Sequence, residues 1–570
     1  MLSQYIVLSA KAFDGLAGLS PWRRRLVAAG AGAVSVLAFA PFHVWPVLWL
    51  TLPALVWLGD IAENNDGHVS APTSRWTFWQ KSRAGRAAET GWWWGFGFFV
   101  VGLSWIGEAF LVEAEVFAWL LPFAVTLLPA GLALFMALAM ASAALLAPAG
   151  PQRILALALT MSATEWLRGH ILTGFPWNTL GYALTYPLPL MQWSAVVGIY
   201  GLTVITVLTF AAPVVVLRHA VATADADRAR RLRCIAAAAA LFPLAMLLTG
   251  GVWRTVAIST YDGREGREPR HTLRIVQPSV PQREKWRPEN QRRIFDDHIA
   301  LSLSKPDGRH DGAVGIGLIV WPEAAMPFRP LDSPAALAEI GRMLPKNTVL
   351  VSGALRIEAT AGTDGGPRRV FNSLLAFGDG GQPIAVYDKT HLVPFGEYLP
   401  AQRLLESIGL QQLSKLRGGF AEGVNPRPLL TIPSIGGFAP LICYEAIFPD
   451  LHLANEARPR ALLNVTNDGW FGNSIGPRQH FHQARVRAVE QGAPLIRAAN
   501  NGISAVIDPY GRILHQLDLN VAGSIDSDLP ATAPSPLYRQ FGDSVFLLML
   551  TAILAWLLLI RLRMRDQNHS

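Results

Sequence analysis

The sequence predicts an α-helical polytopic membrane domain with about eight spans, combined with an α/β domain inserted before the last span. Hydrophobic residues make up 51% of the 570 residues and charged residues only 16%, whereas a typical soluble domain has about 25% charged residues. We count eight apolar segments, and most of them approach the roughly 20 residues that cross a bilayer. Residues 253–542 differ, because short apolar runs alternate there with amphipathic stretches.

The apolar segments divide the chain into three parts. They comprise residues 25–41, 43–60, 90–110, 117–147, 152–167, 196–217, 232–252 and 543–562. We therefore predict a membrane domain of seven spans over 1–252, a separate domain over 253–542, and a last span with its tail over 543–570. The stretch at 61–88 is predicted to be a cytoplasmic loop.

Charge asymmetry predicts the orientation of the membrane domain. With eight spans, the arginine-rich loops all face one side, and the loop between spans three and four carries Glu108, Glu113 and Glu115 instead. Basic loops stay in the cytoplasm. Both termini are therefore predicted to be cytoplasmic and residues 253–542 periplasmic, in a bacterial inner membrane. A signal peptide cleaved after Ala40 is an alternative, but Pro41 follows directly and another apolar span comes next.

The net charge of +8 does not indicate nucleic-acid binding, because no basic stripe or nucleic-acid motif is present. Two cysteines, Cys234 and Cys443, cannot form a disulfide framework. No Cys/His spacing fits a zinc site, and His480 and His482 lack the spacing that would pair them on one face of a helix. We expect no metal and no cofactor.

The alternation within 253–542 predicts a mixed sheet covered by helices. The predicted strands are 273–276, 317–321, 348–354, 373–377, 384–387, 438–442, 461–465, 494–498 and 504–507. The predicted helices are 288–303, 334–343 and 478–491, and the last of these follows a proline, which often begins a helix.

Three polar residues follow predicted strands and suit nucleophilic catalysis. Cys443 is the candidate nucleophile, and a thiolate needs a nearby cation, which Lys389 could supply. Glu323 could accept the thiol proton as a general base. Each residue alone also has a structural interpretation: a buried inert cysteine, a solvated lysine and a helix-capping glutamate.

The residues around these positions resemble the carbon–nitrogen hydrolase (nitrilase) superfamily. The motifs are Trp-Pro-Glu at 321–323, Tyr-Asp-Lys-Thr-His at 387–391 and Cys-Tyr-Glu at 443–445. The resemblance covers about residues 270–525. It implies an αββα sandwich and a catalytic triad of Glu323, Lys389 and Cys443.

The whole chain resembles the apolipoprotein N-acyltransferase family. The motifs are Gly-Phe-Pro-Trp at 174–177, Pro-Gln at 281–282 with Lys-Trp at 285–286, Pro-Phe-Gly-Glu-Tyr-Leu-Pro at 394–400 and Asn-Asp-Gly-Trp-Phe at 467–471. This resemblance implies that a phospholipid, typically phosphatidylethanolamine, donates an acyl chain to the α-amino group of a diacylglyceryl-cysteine on an apolipoprotein. A ping-pong reaction through a Cys443 thioester is implied.

Further residues match family positions linked to the triad, to substrate binding or to the shape of the pocket. They are Glu397, Tyr444, Glu445, Trp286, Asn372 and Trp177. For the two tryptophans, anchoring at the membrane interface is an equal alternative.

Two other functions remain open on the sequence. A membrane-tethered amidase or nitrilase would use the same triad with water as the acceptor, although tethering needs only one span. A transporter with a periplasmic sensing domain is the second alternative. The predicted spans hold few charges and no evident inverted repeat, which argues against transport.

Overall fold

The computed structural model describes residues 11–64, 82–265, 271–304, 312–359, 368–407, 409–414, 416, 418–433, 435–454 and 458–567. The chain forms two compact units. The first comprises Met1–Ser104, Pro122–Arg254 and Leu537–Ser570, and the second comprises Trp105–Leu121 and Thr255–Pro536. Most of the loop predicted at 61–88 lies outside the described residues, and the described ends of that stretch are helical.

Helices predominate in the described residues between 21 and 265. In chain order they are α1 (Pro21–Ser35), α2 (Leu48–Asn64), α3 (Arg83–Gly102), α4 (Ile106–Leu111), α5 (Ala114–Phe117), α6 (Leu121–Leu146), α7 (Pro151–His170), α8 (Leu188–Met191), α9 (Ser194–Ala222) and α10 (Ala226–Glu265). Of these, α4 and α5 belong to the second unit, and the boundary after Arg254 lies within α10.

Five helical segments in the described part of the chain are long and apolar enough to cross a membrane. They are Trp45–Glu63, Ala114–Leu146, Ser194–Ala220, Ala226–Tyr261 and Ser544–Arg563. Each coincides with a predicted span. The other three predicted spans fall on α1, which has 15 residues, and on α3 and α7, which both contain charged residues. The total of eight spans stays a prediction.

Buried charges of α7 are paired within the first unit. Arg153 donates to both carboxylate oxygens of Glu63, at 2.5 and 3.0 Å. Glu165 accepts hydrogen bonds from the Leu180 amide at 3.0 Å and from the Thr203 hydroxyl at 2.8 Å. Charges at membrane depth are costly unless they are paired, so these contacts explain how an apolar unit accommodates them.

The described part of the second unit contains twelve strands. They are β1 (Thr272–Gln277), β2 (Leu318–Val320), β3 (Val349–Ala359), β4 (Arg368–Phe377), β5 (Pro383–Asp388), β6 (Leu430–Ile432), β7 (Gly436–Ile442), β8 (Ala461–Thr466), β9 (Leu495–Ala499), β10 (Ser504–Ile507), β11 (Ile513–Leu517) and β12 (Gly523–Asp528). Sheet one has the order β12-β1-β2-β3-β4-β5 and sheet two the order β11-β10-β9-β8-β7-β6.

Helices complete the elements of this unit and of the C terminus. They are α11 (Gln282–Lys285), α12 (Gln291–Leu303), α13 (Pro334–Met343), α14 (Gln402–Ser407), α15 (Gly476–Gln491), α16 (Leu537–Phe541) and α17 (Ser544–Gln567). The last two belong to the first unit.

Four layers confirm the predicted αββα sandwich. Apolar side chains of both sheets, among them Ile275 and Ile442, pack together in one buried cluster. Phe295 of α12 and Ile340 of α13 pack on the other face of sheet one. Ala484 of α15 packs on the other face of sheet two. Successive side chains of a strand point to opposite faces of its sheet, so apolar residues of each sheet contribute both to the central core and to the core beneath the outer helices.

All nine predicted strands are present, and three further strands were not predicted. The short β6 has three residues, β11 is mostly exposed, and β12 has a polar sequence. None of the three shows an apolar run long enough to be recognised. β6 and β11 lie at the two edges of sheet two, and β12 lies at one edge of sheet one.

Strand direction brings the candidate residues to the ends of the sheets. β2 is parallel to β3, and β4 is antiparallel to both β3 and β5. The carboxyl ends of β2 and β5 therefore lie at the same edge of sheet one, where Glu323 and Lys389 follow them. In sheet two, β7 is parallel to β8, and Cys443 follows the carboxyl end of β7.

Candidate active site

Cys443 begins a 3-10 turn, Cys443–Ile447, directly after β7. The side chain is buried, and the backbone has a φ of +50°. A left-handed conformation costs a residue with a side chain on the order of 1–3 kcal/mol, and such strain concentrates at functional sites. The conformation supports the interpretation of Cys443 as a functional residue.

Lys389 lies between two carboxylates. Its ammonium group is 2.9 Å from Glu397 Oε1 and 3.9 Å from Glu323 Oε1. Burial by itself lowers the pKa of Lys389, but Glu397 and Glu323 outweigh burial and raise that pKa above its usual value. Lys389 is therefore a fixed cation in this site.

Asn372 of β4 connects the same two carboxylates. Its side-chain amide nitrogen donates to Glu323 Oε1 at 2.8 Å and to Glu397 Oε1 at 3.0 Å. Glu397 also accepts a hydrogen bond from the Val393 amide at 2.8 Å. The structure thus brings together four residues that the sequence analysis selected: Glu323, Lys389, Glu397 and Asn372.

The backbone around Glu323 is closely packed. Ala324 has a φ of +47°, and Gly353 of β3 lies against Glu323. A Cβ atom on Gly353 would come within 2.5 Å of Glu323 Cα, which is far inside van der Waals contact. Only glycine at 353 permits this approach, so β3 determines where the carboxylate sits.

The Cys443 thiol is neutral in the resting site. Burial and the Glu323 carboxylate raise the pKa of Cys443 well above its usual value, against the opposing effects of Lys389 and Thr466. The cation that the sequence predicted beside the nucleophile is present, but Glu397 already compensates its charge. The thiol therefore needs a base to remove its proton during attack.

Glu445 ties the loop after β5 to the turn after β7. Its two carboxylate oxygens accept hydrogen bonds from the Tyr387 hydroxyl at 2.7 Å, the Thr390 amide at 2.9 Å and the Ile442 amide at 2.7 Å. Arg427 lies 3.2 Å away. Burial favours the neutral acid, but Arg427 and these hydrogen bonds lower the pKa of Glu445. The carboxylate is a structural link between Lys389 and Cys443.

A second buried cluster supports Cys443 from sheet two. His480 of α15 donates from Nε2 to the Cys443 carbonyl at 3.0 Å, and its Nδ1 lies 2.8 Å from Asp468 Oδ1. Arg497 donates to Asp468 Oδ2 at 2.8 Å. Burial opposes ionisation, but Arg497 and His480 lower the pKa of Asp468 to about 2. The cluster fixes the backbone of the strained residue.

Cys443, Asp468 and His480 also bring three potential metal-binding atoms within 4.8 Å of one another. Both nitrogens of His480 already face oxygen acceptors, and the guanidinium of Arg497 occupies Asp468. A nearby guanidinium repels a cation, so this arrangement favours a hydrogen-bonded support over a metal site.

Lys285 of α11 is a residue that the sequence analysis quoted in a motif but did not select. Its ammonium group is 1% exposed and donates to the Glu323 carbonyl at 2.9 Å. Burial lowers the pKa of Lys285 to about 8, although negative charge on Glu323 and Cys443 opposes that shift. A buried lysine near the candidate nucleophile Cys443 is a signal that only the fold reveals.

The remaining candidates occupy different surroundings. Tyr444 is buried, and its ring lies 5.2 Å from that of Phe448. Trp286 is 43% exposed at the end of α11. Trp177 is buried in the first unit, where its carbonyl accepts a hydrogen bond from Arg168 at 2.8 Å.

Two family models match the chain. Residues 31–212 match the apolipoprotein N-acyltransferase N-terminal domain, and residues 281–533 match carbon-nitrogen hydrolase. The second match contains Glu323, Lys389 and Cys443.

Relatives of similar length match nearly the whole chain. A protein from Rhodopseudomonas palustris named apolipoprotein N-acyltransferase is 45% identical over 543 residues, which are 95% of this chain and 96% of the relative. One of the same name from Bradyrhizobium diazoefficiens is 44% identical over 537 residues, or 94% and 95% of the two chains. A solved carbon-nitrogen hydrolase from Helicobacter pylori covers 46% of this chain and 89% of its own, at 14% identity and a TM-score of 0.30.

Proposed function

The chain belongs to the apolipoprotein N-acyltransferase family, and we propose that it moves an acyl chain from a phospholipid to the α-amino group of an N-terminal diacylglyceryl-cysteine. Phosphatidylethanolamine is the expected donor and an apolipoprotein the acceptor. The observation that carries the proposal is the buried arrangement of Glu323, Lys389 and Cys443, in a chain that also has several helices long and apolar enough to cross a membrane.

In the first half-reaction, Cys443 Sγ attacks the ester carbonyl carbon of the phospholipid. The thiol proton passes to Glu323, which acts as a general base. The ester carbonyl electrons move to oxygen, and Lys389 with a backbone N–H near Tyr444 stabilises that oxyanion. Collapse breaks the ester C–O bond, and the leaving alkoxide takes the proton from Glu323. A lysophospholipid leaves and a thioester remains on Cys443.

In the second half-reaction, the α-amino nitrogen attacks the thioester carbon. Its proton passes to Glu323 as the C–N bond forms, and the oxyanion again faces Lys389. The C–S bond then breaks, and the Cys443 sulfur recovers a proton through Glu323. The product is an amide, which is more stable than the thioester, so transfer is favourable without a further energy source.

Supporting roles follow from the contacts of the neighbouring residues. Glu397 and Asn372 hold Lys389 and Glu323 in one hydrogen-bonded group. Glu445 holds the Lys389 loop against the Cys443 turn. His480 holds the Cys443 carbonyl. Tyr444, Trp286 and Trp177 are proposed to shape or bind the lipid substrates.

The proposed topology places residues 253–542 in the periplasm and both termini in the cytoplasm of a bacterial inner membrane. The membrane domain would then comprise residues 1–252 and a last span within 543–570. A reporter that works only in the periplasm should be active when fused near residue 380 and silent at the C terminus. An active C-terminal fusion would show that the number of spans is odd.

The reaction is tested with purified enzyme, a phospholipid and a diacylglyceryl-cysteine lipopeptide. Phospholipid alone should add one acyl mass to the protein, and hydroxylamine should remove it. Adding the lipopeptide should transfer that mass to its N-terminal amine, as seen by mass spectrometry. Release of free fatty acid without amide formation would support a membrane-tethered hydrolase instead.

A further inference from the structure

Lys285 is a buried ammonium group with few partners. In the described part of the chain, its Nζ donates one hydrogen bond, to the Glu323 carbonyl at 2.9 Å, and forms no ion pair within 4.0 Å. Burying a charge is expensive unless it is paired. A side chain kept in such a place is therefore expected to have a use that offsets this cost.

The charged groups around Lys285 suggest that use. The carboxylate of Glu323, and the thiolate that Cys443 forms when it loses its proton, are the negative groups that act on Lys285, and His298 of α12 is a further titratable group that interacts with it. Burial lowers the pKa of His298 to about 4, so this imidazole is neutral near pH 7. Lys285 therefore adds one positive charge beside Glu323.

One lysine does not balance the negative charge of the site. Glu323 and Glu397 bring two carboxylates into the buried site, and Lys389 lies close to both. Asp468 and Glu445 have their own guanidinium partners, Arg497 and Arg427. Without Lys285, attack by the thiol would build an oxyanion in a site that already carries excess negative charge.

We propose that Lys285 is a further charged residue of the catalytic centre, whose ammonium balances the second carboxylate and so allows negative charge to develop on Cys443 and on the oxyanion. The inference rests on the proposed role of Cys443 as nucleophile. Lys285 would stabilise the sulfur electrostatically, while Lys389 remains the cation nearest the carboxylates. The hydrogen bond to the Glu323 carbonyl holds the ammonium in place.

The test measures alkylation of Cys443 by iodoacetamide in the full-length protein carrying Cys234→Ser, because Cys234 is exposed. Mass spectrometry of the Cys443 peptide gives the rate over a range of pH. Lys285→Met removes both charge and hydrogen bond. Lys285→Gln removes the charge and keeps an N–H donor on a chain one atom shorter. Lys346→Met removes an exposed lysine of the same unit and serves as the control.

We expect both Lys285 variants to alkylate at least about tenfold more slowly than the parent at equal pH below 8, where Lys285 is charged, because a nearby charge is lost from a buried site. The control should match the parent. A parental rate in Lys285→Gln would overturn the proposal, since it would show that the hydrogen bond suffices. If Lys285→Met does not fold, as judged by thermal unfolding, Lys285→Gln decides.

Alkylation needs no lipid, so its outcome is separate from that of the acyl-transfer assay. Slow alkylation in the variants of a protein that forms no acyl-enzyme would contradict the proposed function and leave the role of Lys285 standing. If the parent forms the acyl-enzyme but the Lys285 variants alkylate at the parental rate, the proposed function is supported and the role of Lys285 is contradicted.

Discussion

The two sheets contribute different kinds of residue to the proposed catalytic centre. Sheet one and its loops bring charged groups into direct contact, with Lys389 between Glu323 and Glu397. Sheet two brings an uncharged thiol on a strained turn, and the backbone carbonyl of that residue accepts a hydrogen bond from His480. In the proposed mechanism, proton transfer and charge therefore depend on sheet one, whereas the position of the nucleophile depends on sheet two.

The largest effect is expected where sheet two supplies the reacting atom. Cys443→Ala removes the sulfur that forms the thioester, so acyl-enzyme should fall below detection by intact-mass measurement after incubation with phospholipid. Cys234→Ser is the matched control and should acylate like the parent, because that exposed cysteine belongs to α10. Acylation of Cys443→Ala at the parental rate would sink the covalent mechanism.

The next largest effect is expected from a change to the proposed base, Glu323, beside sheet one. Glu323→Gln keeps the shape of the side chain but cannot accept the thiol proton, and general-base catalysis is typically worth roughly 10²–10⁴-fold. The rate of acyl-enzyme formation should fall within that range, while thermal unfolding stays close to that of the parent. Glu358→Gln, an exposed change in the same sheet, is the control. A parental rate would make Glu323 structural and point to Glu397 as the base.

A glycine in sheet one tests whether the charged groups need their observed positions. Gly353→Ala places a Cβ 2.5 Å from Glu323 Cα, whereas a Cβ on Gly317 would find its nearest atom at 3.7 Å. Displacing a catalytic group by about 1 Å can cost roughly 10²-fold in rate. We therefore expect a loss of that order in Gly353→Ala and little change in Gly317→Ala. Equal rates in the two variants would show that Glu323 tolerates displacement.

Changes in the buried cluster of Asp468, His480 and Arg497 should mainly lower the thermal stability of the protein. Asp468→Asn breaks a buried ion pair with Arg497, which typically costs about 3–5 kcal/mol, and replaces the charged acceptor for His480 with a weaker neutral one. The melting temperature should fall, and alkylation of Cys443 should slow because its carbonyl is held less firmly. Asp526→Asn breaks the pair with Arg274 and should lower stability without changing alkylation. Equal rates of Cys443 alkylation in the two variants would show that the cluster does not position Cys443.

The smallest effect concerns pH. Lys285 has a folded-state pKa of about 8, so its ammonium is present below that pH and is lost as the pH rises through it. Acyl-enzyme formation should therefore decline above pH 8, by at most about tenfold per unit. Lys285→Gln should be slower than the parent below pH 8 and lack this decline. A parental profile without the decline would show that the Lys285 charge is not used during acylation.

Local pattern in the sequence was enough to identify the strands that carry function. The apolar runs before Glu323, Lys389 and Cys443 predicted strands, and the motifs at their ends predicted a shared site. These features are readable because strand periodicity and strand-end turns involve neighbouring residues only. Family resemblance added the αββα sandwich, which the observed sheets confirm, and selected Glu397 and Asn372, which lie beside Glu323.

Only the tertiary structure revealed two features of the site: the buried cluster that holds the Cys443 backbone, and the lysine at position 285. His480, Asp468 and Arg497 come from α15, the turn after β8 and β9, and nothing in their spacing predicts contact with Cys443. Lys285 lies on α11, after β1, and meets Glu323, after β2, because these two strands are adjacent and parallel in sheet one. Contacts between distant segments depend on strand order and packing, which are properties of the whole fold. The sequence alone therefore determined which residues could react, and the fold decided which charges surround them.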